Sequence, residues 1–167
     1  MANLKAIKSK ILSSKKMGTV TRAMEAVSAV KMRKGQERAL AGRSYAAAAL
    51  TVLERLSGTA DISRHPLMRV QEGKTAFIVI TSDKGLAGSL NSGVIRKVER
   101  EIGERALGKN DVVIAAIGRR GGDFFTNRGY EVRIRQDNKN DDVTEADIRE
   151  VTDQVLAWHA RGEIGDV

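Results

Sequence analysis

The sequence predicts an α/β protein. A long N-terminal coiled-coil helix leads into an open three-layer, Rossmann-like α/β domain that is incomplete at its C-terminal side. Three observations predict this. The first 57 residues contain no proline and carry an apolar stripe at helical spacing. From Lys74 onward, short continuous apolar runs alternate with amphipathic helical patterns. The last helical pattern ends near Gly162 with no obvious strand after it.

The helix is expected from Leu4 to Leu56, within a shaft of residues 1–57. At about 1.5 Å per residue it would span roughly 75–80 Å, more than a small domain is wide. Leu4, Ile7 and Ile11 open the stripe; Met17, Val20, Met24, Val27 and Val30 resume it; Leu40, Ala46, Leu50, Leu53 and Leu56 continue it. The steps are mostly three or four, but the heptad phase drifts, as in an irregular coiled-coil seam. Gly18, Gly35 and Gly42 each cost about 1 kcal/mol against Ala in a helix interior, which suggests that another surface approaches the backbone there. The run Ala46–Ala49 is slim and strongly helical. A rod this polar needs a partner.

Residues 58–73 read as a connector, in which Pro66 fixes an extended or turn conformation after His65. Residues 74–167 form the second domain. Thr75–Thr81 is a short apolar run, the pattern of a strand buried on both faces of a parallel sheet. Asn91 or Ser92 is expected to cap a helix that buries Val94, Ile95, Val98, Ile102 and Leu107. Asp111–Ile117 reads as a second buried strand, followed by a short helix from Arg119 to Arg128 carrying Phe124 and Phe125. Tyr130–Arg135 alternates, with Tyr130, Val132 and Ile134 on one face, as in a half-exposed edge strand. Thr144 and Asp147 form a capping box for the last helix, which carries Ile148, Val151, Val155, Trp158 and His159. The order is β-α-β-α-β-α, and a crossover helix without a return strand looks unfinished.

The net charge of +8 is concentrated on the rod. Through Ser57 there are 12 Lys and Arg against Glu25, Glu37 and Glu54, which leaves 17 bases and 18 acids in the remainder. A basic helix of this kind suits a polyanionic or acidic partner better than water alone. The chain has no cysteine, which excludes disulfides, thiolate nucleophiles and Cys-based metal sites, and weakly favours an intracellular setting. No apolar run is long enough to span a membrane. The acid-free stretch through Val20 faintly suggests a transit peptide, but it lacks Arg and its apolar pattern runs on into the helix.

No catalytic constellation emerges. The loop Thr81–Asn91 has the strand, glycine and helix order of a phosphate cradle. Lys84 precedes Gly85, however, so it is not a P-loop, and Gly85-x-x-Gly88 alone is no dinucleotide fingerprint. The Gly118–Gly122 turn is no better. Ser82, Asp83 and Lys84 are adjacent and cannot converge on one atom. His65 and His159 are the only histidines and sit far apart in the pattern, so no metal or cofactor is expected. Asp137–Asp142 has the composition of a calcium loop without its glycine and terminal glutamate, and reads as a solvated turn. Met17, Met24 and Met32 read as packing residues.

Two blocks carry family information. Ile7–Ile11 together with Val20–Lys34 closely resembles the start of the gamma subunit of F-type ATP synthases, and Thr81–Asn91 resembles that family's loop after its first strand. His65-Pro66 and Ile117–Phe125 fit as well, so the resemblance covers essentially the whole chain. Ala87 departs from it, since many members have cysteine there. The larger departure is the end: family members continue with further strands and a long C-terminal helix that winds around the N-terminal one. The chain thus looks like a truncated gamma subunit, which would account for both the unpaired rod and the unfinished sheet.

The resemblance implies a non-catalytic rotor without cofactors. Proton flow turns a membrane ring, the globular foot rides on that ring, and the shaft drives the catalytic subunits through their states. Implied partners are the alpha and beta subunits of the catalytic head, the epsilon subunit and the membrane c-ring, with no nucleic acid and no direct membrane insertion. The implied location is peripheral, on the cytoplasmic face of the bacterial inner membrane, ahead of a mitochondrial or plastid one. Thr21, Arg22, Met24, Lys31, Arg33 and Lys34 would lie where shaft meets head, and Asp83, Lys84 and Ala87 near acidic lever loops of the beta subunits. The alternatives are a basic helical nucleic-acid binder and a nucleotide-binding α/β enzyme. Aromatics are only 4% of the chain and only Tyr45 lies on the rod, which argues against base stacking.

Overall fold

The computed structural model describes residues 2–57, 65–68, 71–137 and 144–167. Most of the expected connector, and residues 138–142 of the acidic turn, lie outside these. The chain divides into two compact units, Met1–Ile62 and Ser63–Val167.

The first unit is the helix α1, which runs without interruption over Ala2–Ser57, 56 residues and about 84 Å at the standard rise. Apart from Ala49, every described side chain on it is exposed. The seam residues Leu4, Met24, Leu40 and Leu53 are 57–62% exposed, so the stripe exists but nothing among the described residues of this unit covers it. A Cβ at Gly18, Gly35 or Gly42 would meet nothing within 4 Å. The Thr19, Thr21 and Thr51 hydroxyls donate to carbonyls four residues earlier, which satisfies them without leaving the helix.

The second unit is a parallel sheet of β1 (Lys74–Ile80), β2 (Val112–Ile117), β3 (Glu131–Gln136) and β4 (Ile164–Asp166), in the order β3-β2-β1-β4. The crossovers are α2 (Leu90–Glu104), α3 (Arg119–Asn127) and α4 (Glu145–Ala160), with single 3-10 turns at Pro66–Met68 and Lys109–Asp111. One sheet face packs Val79, Val112, Ile114 and Ala116 against Ile102 of α2 and Phe125 of α3. The other packs Ala76, Val113, Ala115, Ile134 and Ile164 against Val151, Val155 and Trp158 of α4. Helix, sheet and helix give the three layers expected, and β2 is buried on both faces because it is central.

Four expectations change. A return strand exists: Gly162, at φ +69°, ends α4, and β4 pairs with β1 at Lys74 and Thr75. Because β4 is only three residues long, β1 is less covered than expected, and Ile78 and Ile80 are exposed. α2 begins at Leu90, so Ser89 holds the N-cap position, without a side-chain hydrogen bond there, and Asn91 and Ser92 fall inside the first turn, with the Asn91 amide bonded to Ser82. In β3 the register shifts opposite Ile114 and Ala115, leaving Arg133 as an extra residue. Tyr130 and Val132 therefore pack with α2 and α3, whereas Ile134 packs under α4, so the three do not share a face. The Thr144–Asp147 capping box forms as expected.

The starts of β1, β3 and β4 are tied by charge. Lys74 pairs with Glu131, Arg133 with both Glu131 and Glu163, and Arg161 with Glu163. Lys74, then Arg133, holds the Glu131 carboxyl below its usual range; Arg161, then Arg133, does the same for Glu163. Depressed folded values mean that this stabilisation is fully present above the unfolded glutamate range, about 4.3, and is lost as pH falls through it toward the lower folded values. We therefore expect the urea midpoint of this unit, read by Trp158 fluorescence, to fall between about pH 5 and 3. Glu131→Gln should flatten that slope. An unchanged slope in the variant would remove Glu131 from the account.

Candidate functional site

Each unit presents one surface. On α1, the residues singled out from the sequence span Thr21 to Lys34, about 20 Å of helix. They do not form a stripe. At about 100° per residue, Arg22 and Arg33 nearly align, Met24 and Lys31 lie roughly opposite, and Lys34 falls between. The group is a collar around the rod. Arg33 already pairs with Glu37 one turn away, at 3.0 Å. Thr21 donates to the Met17 carbonyl, and Met24 is 60% exposed.

On the second unit, the loop after β1 is built around the start of α3. The Thr81 hydroxyl accepts from the Gly121 N–H at 2.8 Å, the Ser82 carbonyl from Arg120 N–H, and the Asp83 carboxylate from Arg119 N–H at 2.9 Å. The first three N–H groups of α3, the donors a phosphate would use, are thus occupied by the protein itself. Gly118 makes this possible: at φ +95°, a Cβ there would sit 1.9 Å from the Thr81 carbonyl oxygen. The Ser82 N–H donates to the Asn91 carboxamide oxygen at 2.9 Å, and the Ser82 hydroxyl donates to the Lys84 carbonyl. The loop is a self-satisfied turn rather than a nucleotide cradle.

Of the three loop residues predicted to meet a partner, Asp83 is half-buried with its carboxylate accepting from Arg119 N–H, Lys84 is exposed, and Ala87 is half-buried with its carbonyl accepting from Leu90 N–H. The sequence reading missed Thr81, Leu86, Arg96 and Arg120. Thr81 was detectable in principle, since the three glycines of the Gly118–Gly122 turn imply a close neighbour. Among the described residues, no group of three His, Cys, Asp or Glu side chains is placed to hold a metal, and no helix is long and apolar enough to cross a membrane.

Residues 3–167 match the family described as ATP synthase. The ATP synthase gamma chain of Staphylococcus saprophyticus is 33% identical over 168 residues, covering 100% of this chain and 58% of that one. The gamma chain of Geotalea daltonii is 45% identical over 129 residues, 77% of this chain and 45% of its own. That of Chlorobium luteolum is 36% identical over 172 residues, 100% and 59% respectively. The chain therefore spans roughly half the length of these relatives. A long exposed helix, a parallel α/β unit and a match over nearly every residue agree: this chain belongs to the ATP synthase family and is similar to its gamma chains.

Proposed function

We propose that the chain acts as the central-stalk gamma subunit of an F-type ATP synthase, transmitting rotation between a proton-driven membrane ring and a catalytic head, and that it is itself non-catalytic. The observation that carries this reading is α1: an uninterrupted 56-residue helix whose apolar seam and basic collar are both exposed. Its partners are the alpha and beta subunits, the epsilon subunit and the c-ring. Its place is peripheral, on the cytoplasmic face of a bacterial inner membrane. Thr21, Arg22, Met24, Lys31, Arg33 and Lys34 meet the head, and Asp83, Lys84 and Ala87 lie near acidic loops of the beta subunits. A collar suits such a shaft better than a stripe, because three subunits must be met in turn from different directions. Exposed pairs worth about 0–1 kcal/mol each allow contact without locking.

The test is charge reversal in the assembled enzyme. With Arg33, Lys34 and Lys84 all changed to Glu, three contacts of about 0.5 kcal/mol each predict roughly tenfold weaker engagement. The measurement is ATP-driven proton pumping per ATP hydrolysed, repeated across a salt series. Lys34 should matter more than Arg33, whose charge is already matched by Glu37. Coupling and salt sensitivity that match the wild type would sink the electrostatic contact.

A further inference from the structure

The chain leading from α1 enters the sheet through residues 71–73, and there it crosses β4 backbone to backbone. A Cβ on Gly165 would lie 2.2 Å from the Gln71 carbonyl oxygen, and one on Gly73 would lie 2.7 Å from the Gly165 nitrogen. Neither glycine has a left-handed φ, so close approach, rather than backbone conformation, is what excludes a side chain at both. Gly165 is also where β4 shifts register, since Ile164 pairs with Lys74 and Asp166 with Thr75.

The crossing is held from several sides. The Lys74 N–H donates to the Glu163 carbonyl at 3.3 Å, and the Lys74 ammonium pairs with Glu131 of β3 at 2.5 Å. Arg133 bridges Glu131 to Glu163, and Arg105, just past α2, pairs with Asp166 at the other end of β4. Pairing of β1 with β2 begins only at Thr75, so these contacts fix the chain just ahead of the sheet proper. That position matters mechanically. A lone extended chain transmits no twist, because each residue has two soft dihedrals that turn. Torque passes only where the chain is fixed at more than one point to the body it turns.

We propose that the Gly73–Gly165 crossing, with Lys74, Glu131 and Glu163 around it, is the anchor through which the α/β unit exchanges torque with the chain leading to α1, and that Lys74 is its positioning residue. This rests on the stalk reading and deepens it. The test uses the full chain in the assembled complex, as Gly165→Ala, Lys74→Met and Lys74→Arg. Hydrogen exchange in peptides covering residues 71–77 should quicken about fivefold in Lys74→Met, more in Gly165→Ala and little in Lys74→Arg. Protons pumped per ATP hydrolysed should fall in the same order, and the loss should deepen as the opposing proton gradient builds, because torque is what pulls the anchor open. A merely destabilised subunit would lose pumping and hydrolysis together at every gradient. Should Gly165→Ala unfold the unit, as read by Trp158 fluorescence, Lys74→Met against Lys74→Arg decides. Wild-type coupling despite faster exchange, a loss independent of the gradient, or unchanged exchange in Lys74→Met would each overturn the proposal while leaving the stalk reading intact. Failure of the wild-type chain to co-purify with other ATP synthase subunits overturns both.

Discussion

Gly118→Val should unfold the α/β unit or bring it close to unfolding, at a cost of about 3–5 kcal/mol. Two terms add: the left-handed backbone, at φ +95°, costs a branched residue about 1–3 kcal/mol, and forced overpacking costs about 1–3 kcal/mol more. The clash is with backbone, because the new Cβ would lie 1.9 Å from the Thr81 carbonyl oxygen. No rotamer change relieves it. Relief requires moving the end of β1 away from α3, which breaks the Thr81, Ser82 and Asp83 hydrogen bonds to the start of that helix. Against a domain stability of about 5–15 kcal/mol, the loss is severe. Trp158 is the only tryptophan and is buried between α4, which carries it, and the sheet, so its fluorescence in urea reports this unit alone. Gly129→Ala is the control. Its φ is +78°, but a Cβ there meets nothing within 4 Å, so only backbone strain of about 1–2 kcal/mol is expected. Equal losses at the two sites would show that contact with Thr81 is not the cause.

Phe125→Ala is expected to cost about 3–5 kcal/mol by the same readout. The ring is completely buried on the face shared with Val79, Ile102, Val112, Ile114 and Ala116, and it packs edge-on to Phe124 and Tyr130 at 5.2 and 5.4 Å. Removing it leaves a cavity walled by a central strand, which cannot collapse inward without breaking parallel pairing. Phe125→Leu keeps most of the volume and should lose less than about 1.5 kcal/mol. If the alanine variant cost no more than the leucine one, the site would be relaxing to fill the space. Neither change should alter the helicity of α1, whose described side chains belong to the other unit.

Periodicity located α1, β1, β2, α3 and α4 to within about two residues, because each segment's burial pattern is a direct consequence of helix or strand geometry. It misplaced features that depend on a neighbour. Asn91 is a good capping residue by type, yet α2 begins one residue before it, at Leu90, and its amide is captured by Ser82, nine positions earlier. Tyr130, Val132 and Ile134 alternate perfectly in sequence, yet the extra residue at Arg133 sends Ile134 to the opposite face. Its guanidinium instead lies over the Trp158 ring at 5.3 Å, a contact no local pattern encodes. The three residues of β4 were invisible because a strand that short has no periodicity to read, and the N-terminal end of β1 decides where it pairs.

The same division holds for the candidate surfaces. By itself the sequence determined the rod, its charge, the layered α/β class and the absence of a phosphate-binding motif, since all four follow from residue type and spacing along one segment. Only the tertiary structure decided what each side chain has left to offer. Asp83 is spent on α3, Glu99 and Asp123 are spent on arginines, Leu86 is exposed, and among the described residues Arg96 and Arg120 have no carboxylate partner. The reason is that a charge or a hydrogen-bonding group is available to a partner only after its own fold has been satisfied. That competition is settled between residues distant in the chain, such as Thr81 and Gly121, or Asp83 and Arg119, which meet only when the sheet has formed.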